Sequence, residues 1–181
     1  MKKLLFIGPP GSGKGTQAKL LEKYGFINLS SGDLIRKSSD SVIVKYKEIE
    51  YPRGKLLSDR LIFKLIKEGI SKLPRGSTGY ILDGFIRTLP QAEYAKKKNL
   101  AETALYFSID EKKAVERILK RNEGRTDDNI ISVKKRFDEY RKKTEPILNY
   151  LKENFKFYEI DAGKTIEEIN GKVLGILGLK N

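Results

Sequence analysis

Gly8-Pro9-Pro10-Gly11-Ser12-Gly13-Lys14-Gly15-Thr16 follows directly on the apolar run Leu4-Leu5-Phe6-Ile7. The spacing fits G-x-x-x-x-G-K-[ST] through Lys14, the pattern of a loop that holds phosphate in backbone N–H groups. Glycines at 8, 11, 13 and 15 let consecutive N–H groups converge on phosphate oxygens without a Cβ in the way. A helix expected to begin near Lys14 adds the positive end of its dipole, and Lys14 brings a mobile cation to the outer phosphates. The pattern departs at one position: Gly15 stands where a magnesium-binding hydroxyl is usual, and Thr16 comes one place late. A ligand-free glycine turn is the competing reading. The strand before it, the amphipathic segment Gln17 to Lys23 after it and the lysine beside the glycines favour phosphate.

Composition narrows the chemistry further. A chain of 181 residues suits a single well-packed core and is short for two domains. It has neither cysteine nor histidine, which removes disulfides, cysteine zinc sites and imidazole acid–base work. Reactivity must then rest on Lys, Arg, Asp and a bound metal. The apolar run after Lys2-Lys3 is too short for an export signal or a membrane span, which predicts a cytoplasmic protein. Lys and Arg outnumber Asp and Glu by 37 to 24, a formal +13. The basic clusters Lys96-Lys97-Lys98, Lys134-Lys135-Arg136 and Arg141-Lys142-Lys143 alternate with acidic residues, as on a solvated helix face. No nucleic-acid-binding motif accompanies the charge, so no dedicated nucleic-acid site is expected.

The elements that must position these residues alternate in type. Five short strand-like runs, Lys3–Ile7, Phe26–Leu29, Tyr80–Leu82, Ala104–Ile109 and Phe155–Ile160, are each followed by a helical pattern. Leu61, Leu65, Ile66 and Ile70 recur at helical spacing, as do Ala114, Val115, Ile118 and Leu119, and Ile166, Ile169, Val173, Ile176 and Leu177. Thr165 with Glu168 predicts a capping box at the start of the last helix. The alternation implies a parallel sheet covered on both faces, with ligands at the carboxyl ends of its strands. Two segments fit the sheet poorly and are predicted as flaps: Ser31 to Leu57, with a break at Pro52-Arg53-Gly54, and Asn122 to Asp128.

Three further motifs accompany the loop: Ser30-Ser31-Gly32-Asp33-Leu34-Ile35-Arg36, Asp83-Gly84-Phe85-Ile86-Arg87-Thr88 with Gln91, and Gly124-Arg125-Thr126-Asp127-Asp128-Asn129. With them the chain resembles the adenylate kinases, nearly end to end, in the short-lid form. The resemblance implies an α/β P-loop NTPase fold: a three-layer αβα domain with a five-stranded parallel sheet. It would be one kinase domain over 1–181, with a core of 1–29, 58–120 and 129–181, a small helical flap for the nucleoside monophosphate at 30–57 and a short lid at 121–128. The implied activity is reversible phosphoryl transfer from ATP to AMP, giving two ADP, with Mg2+ as cofactor and a monomer as the working form.

By the same resemblance Lys14, Arg87, Arg121, Arg125 and Arg136 form the catalytic ring of cations. Such transfer needs positioning and charge stabilisation more than covalent work. ATP would be held by Gly11, Ser12, Gly13, Lys14, Gly15 and Thr16, with Arg117 and Arg121, four apart on one helical face, and with Lys164 of Asp161-Ala162-Gly163-Lys164 at the adenine. AMP would meet Ser31, Arg36, Lys55, Leu56 and Leu57 from the flap, Gly84, Phe85, Arg87 and Gln91 from the Asp83 motif, and Arg125 and Arg136, with Arg36 and Arg87 on its phosphate. Asp83 and Asp33 would reach the metal through water.

Base choice separates AMP from the acceptors of the UMP/CMP kinases, which share loop, fold and short lid. Gln91, whose amide can pair with the adenine edge, and Ser31 before Gly32-Asp33 both favour AMP. Activity toward UMP or CMP is the alternative within the class, and a nucleotide-regulated RNA-associated ATPase the alternative outside it. Two positions depart from the family pattern. Ile86 replaces a proline, so a trans bond between Phe85 and Ile86 is expected, since a cis bond there costs about 3–4 kcal/mol. Only Asn122-Glu123-Gly124 separates Arg121 from Arg125, a lid small enough to predict some ATP hydrolysis without acceptor.

Overall fold

The computed structural model describes residues 1–50, 53, 55–120 and 130–179. Five strands, β1 (Lys2–Ile7), β2 (Phe26–Ser30), β3 (Gly79–Asp83), β4 (Thr103–Ser108) and β5 (Lys156–Asp161), form one sheet in the order β2-β3-β1-β4-β5, every pair parallel. Each lies within one residue of its sequence-based bounds. Apolar runs of this kind suit a strand covered on both faces. Leu4 and Phe6 of β1 turn into one buried cluster with Ile81, Leu105 and Phe107, while Leu5 and Ile7 turn into another with Leu82 and Ala104.

Helices cover both clusters. α1 (Lys14–Leu20) and α9 (Ile166–Leu177) close the first, through Ala18, Ile169, Val173 and Leu177. α2 (Ser31–Lys37), α3 (Ser41–Ile49), α4 (Asp59–Ser71), α5 (Leu89–Lys97) and α8 (Leu148–Asn154) close the second. A third, smaller cluster of Ala114, Ile118, Val133 and Phe137 joins α6 (Glu111–Leu119) to α7 (Ile130–Glu139). Among the described residues no helix is long and apolar enough to cross a membrane.

Polar contacts fix how the helices sit. The amide of Gln17, buried between α1 and α9, donates to Ile166 O at 3.0 Å and accepts from Asn170 Nδ2 at 3.0 Å. The expected capping box is present: Thr165 Oγ1 accepts from Glu168 N at 3.2 Å and the Glu168 carboxylate accepts from Thr165 N at 2.9 Å. Hydrogen bonding of the carboxylate to Thr165, its backbone N–H first and then its side chain, holds the Glu168 carboxyl below its ordinary pKa.

Two local expectations change. The first helix begins at Lys14 and ends at Leu20, with a separate 3-10 turn Glu22–Tyr24, because Gly25 (φ +79°) turns the chain into β2. The flap segment breaks at Ser38-Ser39-Asp40 into α2 and α3; of Pro52-Arg53-Gly54, where one break was expected, only Arg53 lies among the described residues. The cause is a cap. Asp40 accepts from Val42 N at 3.0 Å and Ile43 N at 3.4 Å, starting a new helix. Its carboxylate also takes Lys64 Nζ at 2.7 Å, tying α3 to α4, and this bond is the first cause of its lowered pKa.

Tyr80 gives a pH test of the sheet. Its phenol lies in the second cluster and donates to Leu100 O at 2.7 Å. Burial first, then the nearby Glu102 charge, pushes its pKa up to about 12. A raised folded-state pKa means that the phenol's contribution is complete below the unfolded value of about 10 and is lost as pH rises toward about 12. Thermal stability is therefore expected to fall through that interval, and Tyr80→Phe to flatten the fall in melting temperature.

Candidate active site at the carboxyl edge of the sheet

The loop after β1 is built by backbone crowding. A Cβ at Gly8 (φ +149°) would approach Phe107 O to 2.5 Å, and one at Gly11 (φ +77°) would approach Ala114 O to 2.4 Å. Both positions need glycine because the loop lies directly on β4 and α6. Gly11→Ala is accordingly expected to cost about 3 kcal/mol or more of stability, from overpacking and left-handed strain together, read as a lowered denaturation midpoint. Gly13 (φ +82°) is the N-cap of α1 and contributes no side-chain bond to it, and a Cβ there would meet nothing within 4 Å. The side of the loop away from the protein is therefore open at Gly13.

Lys14 lies across this loop. Its ammonium donates to Gly8 O and Pro9 O at 2.8 Å each and to the buried Ser12 Oγ at 3.0 Å. An ammonium with three donors on a flexible stem can exchange such carbonyls for phosphate oxygens with little backbone movement. Gly15 and Thr16 are exposed at the start of α1. A Cβ at Gly15 would stand 3.9 Å from Asp83 Oδ2, so the half-buried carboxylate at the end of β3 adjoins the loop at its unusual glycine.

Asp83 pairs in register with Phe6 of β1 and Ser30 of β2, which places the three strand ends level. The turn after Asp83 needs Gly84 (φ +75°), where a Cβ would meet Ser31 Oγ at 2.8 Å and Arg87 Nη2 at 3.0 Å. Ser31 and Arg87, from two of the sequence motifs, thus both flank Gly84. Arg87 Nε donates to Gly84 O at 2.8 Å, folding the guanidinium back over the turn. The backbone of Arg87 is held from both ends: its N–H donates to Gln91 Oε1 at 2.7 Å and its carbonyl accepts from Thr144 Oγ1 at 3.0 Å. Gln91 is 1% exposed, and its Nε2 donates to Asp59 Oδ1 at 2.8 Å. Among the described residues no peptide bond is cis, so Phe85 and Ile86 are joined in trans as expected. Both side chains are buried in the second core cluster.

The flap contributes in part. Ser30 caps α2 by accepting from Asp33 N at 3.3 Å, and Arg36 bonds the Asp33 carboxylate one turn back. That pairing compensates part of the Asp33 charge. Lys55 is paired with Glu50 at 2.6 Å, Tyr46 Oη donates to Lys55 O at 2.6 Å, Leu56 is half-buried and Leu57 belongs to the core. Leu57 and Phe85 therefore offer a ligand backbone rather than side chain.

Across the edge, Arg117 of α6 donates to Ala162 O at 2.7 Å and Lys164 O at 3.2 Å, and Lys113 Nζ bonds Gly163 O. The Asp161-to-Lys164 turn is thereby fastened beside the phosphate loop that α6 also contacts. Arg136 is half-buried in the last turn of α7. Arg121 and Arg125, with the rest of 121–129, lie outside the described residues. Asp59 and Thr144 have no place in the motifs. They lie 32 residues from Gln91 and 57 from Arg87, and the sequence marks only the helical spacing of Leu61, Leu65, Ile66 and Ile70 that follows Asp59.

A family model described as adenylate kinase matches residues 6–156, which include the phosphate loop, Asp83, Arg87 and Gln91. The chain belongs to the adenylate kinase family. Curated relatives named adenylate kinase match along nearly their whole length. The protein of Parasynechococcus marenigrum is 34% identical, covering 97% of this chain and 98% of its own. That of a Synechococcus species is 36% identical over 95% and 96%, and that of Parvibaculum lavamentivorans 35% identical over 98% and 92%. The family makes the protein a nucleoside monophosphate kinase, a phosphotransferase with the parallel P-loop sheet described above.

Proposed function

We propose that the enzyme transfers the γ-phosphoryl group of Mg-ATP directly to AMP and runs the reverse reaction from two ADP. The observation that carries this reading is the convergence on one sheet edge of the Lys14 loop, the Asp83 carboxylate and the Arg87–Gln91 pair. ATP phosphates lie in the loop at Gly11 to Thr16, its adenine against Arg117 and the Lys164 turn. AMP lies against Ser31, Arg36, the backbone of 55–57, Gly84, Arg87 and Gln91. Between them Lys14, Arg87 and Arg136, with Arg121 and Arg125 of the lid, surround the travelling group with positive charge. Transfer is in line between the two bound nucleotides, with no covalent enzyme intermediate.

Asp83 suits Mg2+ as a hard oxygen donor beside the phosphates. Bound there, the ion neutralises phosphate charge and keeps most of its water shell. With Gly15 in place of a hydroxyl, Asp83 and Asp33 would hold the ion through water, Asp33 while also bonded by Arg36. The remaining domain divisions follow the same reading: a flap at 30–57 and a lid at 121–128 close over AMP and ATP in a cytoplasmic monomer. The basic surface clusters are consistent with a small-molecule enzyme, since Arg141 pairs with Glu111 at 2.5 Å and Asp138 at 2.7 Å.

A coupled ADP assay offering AMP, CMP, UMP and GMP tests the proposal. AMP is expected to be the preferred acceptor. Phosphorylation of UMP or CMP in preference to AMP overturns it, and so does the absence of any acceptor activity.

A further inference from the structure

Gln91 can recognise adenine only if its amide faces one way. Adenine offers an N1 acceptor beside an N6 amine donor, while a 6-oxopurine offers an N1–H donor beside an O6 acceptor. A glutamine amide turned through 180° exchanges one preference for the other. Gln91 spends one carbonyl lone pair on Arg87 N–H at 2.7 Å and one N–H on Asp59 Oδ1 at 2.8 Å. One N–H and one lone pair are left over, the complement of the adenine edge.

Reversal of the amide meets two penalties. It sets the NH2 group against Arg87 N–H and the carbonyl against the Asp59 carboxylate, which as an ionised group can only accept. Asp59 also has little freedom to move away. It opens α4, and one turn farther along the same two helices Phe63 stacks on Tyr94 with centroids 3.8 Å apart and planes at 18°. Phe63 is four residues beyond Asp59 and Tyr94 three beyond Gln91, so the stack and the hydrogen bond lie on the same faces of α4 and α5.

We infer that Asp59 is a specificity-determining positioning residue: it locks the Gln91 amide in the orientation that accepts adenine and rejects 6-oxopurines. The inference rests on the AMP site proposed above and adds a residue to it that touches no substrate.

The test compares kcat/KM for adenosine 5′-monophosphate and inosine 5′-monophosphate in the wild type, Asp59→Asn and Asp59→Leu. Asparagine keeps the shape of aspartate but can donate to a reversed carbonyl, so the AMP:IMP preference is expected to fall about tenfold, through loss with AMP and gain with IMP. Leucine removes the acceptor without offering a donor, and the preference is expected to fall about threefold, mainly through a higher KM for AMP. A merely structural Asp59 instead predicts equal losses for both nucleotides with a lowered melting temperature. An unchanged AMP:IMP ratio in Asp59→Asn, or in Asp59→Leu should the first variant not fold, overturns the inference. Failure of the wild type to phosphorylate AMP overturns the underlying AMP-site reading, a result distinct from either.

Discussion

Lys14→Ala is expected to lower kcat by about a thousandfold, as removal of one preorganised donor from developing charge commonly costs a hundredfold to a thousandfold. Two losses combine. The travelling phosphoryl group loses a cation, and the loop loses the three bonds that its ammonium makes to Gly8 O, Pro9 O and Ser12 Oγ. The second loss concerns the shape of the loop and should raise the KM for ATP. The first acts on the chemical step and should appear in kcat at saturating ATP. A coupled assay in both directions separates them, because a loss confined to the transition state lowers kcat with ATP and AMP and with two ADP alike, whereas a change in nucleotide binding moves the KM values. Melting is expected to change little, because the packing of Gly8 on β4 and Gly11 on α6 remains when the lysine's bonds are lost.

The phosphate loop was legible because its demands fall on a few neighbouring positions. Gly8, Gly11 and Gly13 have positive φ, and Gly8 and Gly11 also press on backbone oxygens of β4 and α6, so residue type is restricted at short spacing. The five strands were legible for a related reason. A strand buried on both faces admits few polar residues, so Leu4 to Ile7 and Tyr80 to Leu82 read as continuous apolar runs.

What stayed hidden depends on pairings between distant residues. The break at Ser38 to Asp40 stayed hidden although Asp40 is an N-cap residue type and Val42, Tyr46 and Ile49 follow at helical spacing, because the segment before it is helical as well. Nothing in the sequence joins Thr144 to Arg87. The bond exists because α7 runs on into a π turn, Tyr140–Thr144, followed by a 3-10 turn at Glu145–Ile147. The wide turn buries both Tyr140 and Thr144, and π turns of this kind often occur at functional sites. Tyr140 Oη meets Tyr106 Oη at 3.3 Å, so the turn is anchored to β4 while Thr144 reaches the backbone of Arg87 after β3. Asp59 was hidden in the same way, lying just before the helical pattern of Leu61, Leu65, Ile66 and Ile70.

Those hidden partners bear on Arg87, the second position where a large effect is expected. Arg87→Ala should lower kcat/KM for AMP by about three-hundredfold, the range for deleting a charge-assisted hydrogen bond to a transferring phosphate. Its guanidinium is aimed by Gly84 O at Nε, and its backbone is held by Gln91 at one end and Thr144 at the other. Because these bonds fix the backbone rather than the charge, Arg87→Lys should keep the pinned turn and lose only the fork. An intermediate loss of about thirtyfold is expected for it, and the remaining tenfold of the alanine variant measures the charge itself. The isoleucine-for-proline exchange at position 86 gives the backbone bonds added importance. A proline ring restricts the backbone at that point by itself, whereas Ile86 is held by burial of its side chain and by the two bonds that follow at Arg87. Thr144→Val, which removes one of those bonds while keeping the shape, is therefore expected to move KM for AMP severalfold with kcat nearly unchanged. Should Arg87→Lys prove as damaging as Arg87→Ala, the fork geometry set by Gly84 O, and not the charge, is what the reaction requires.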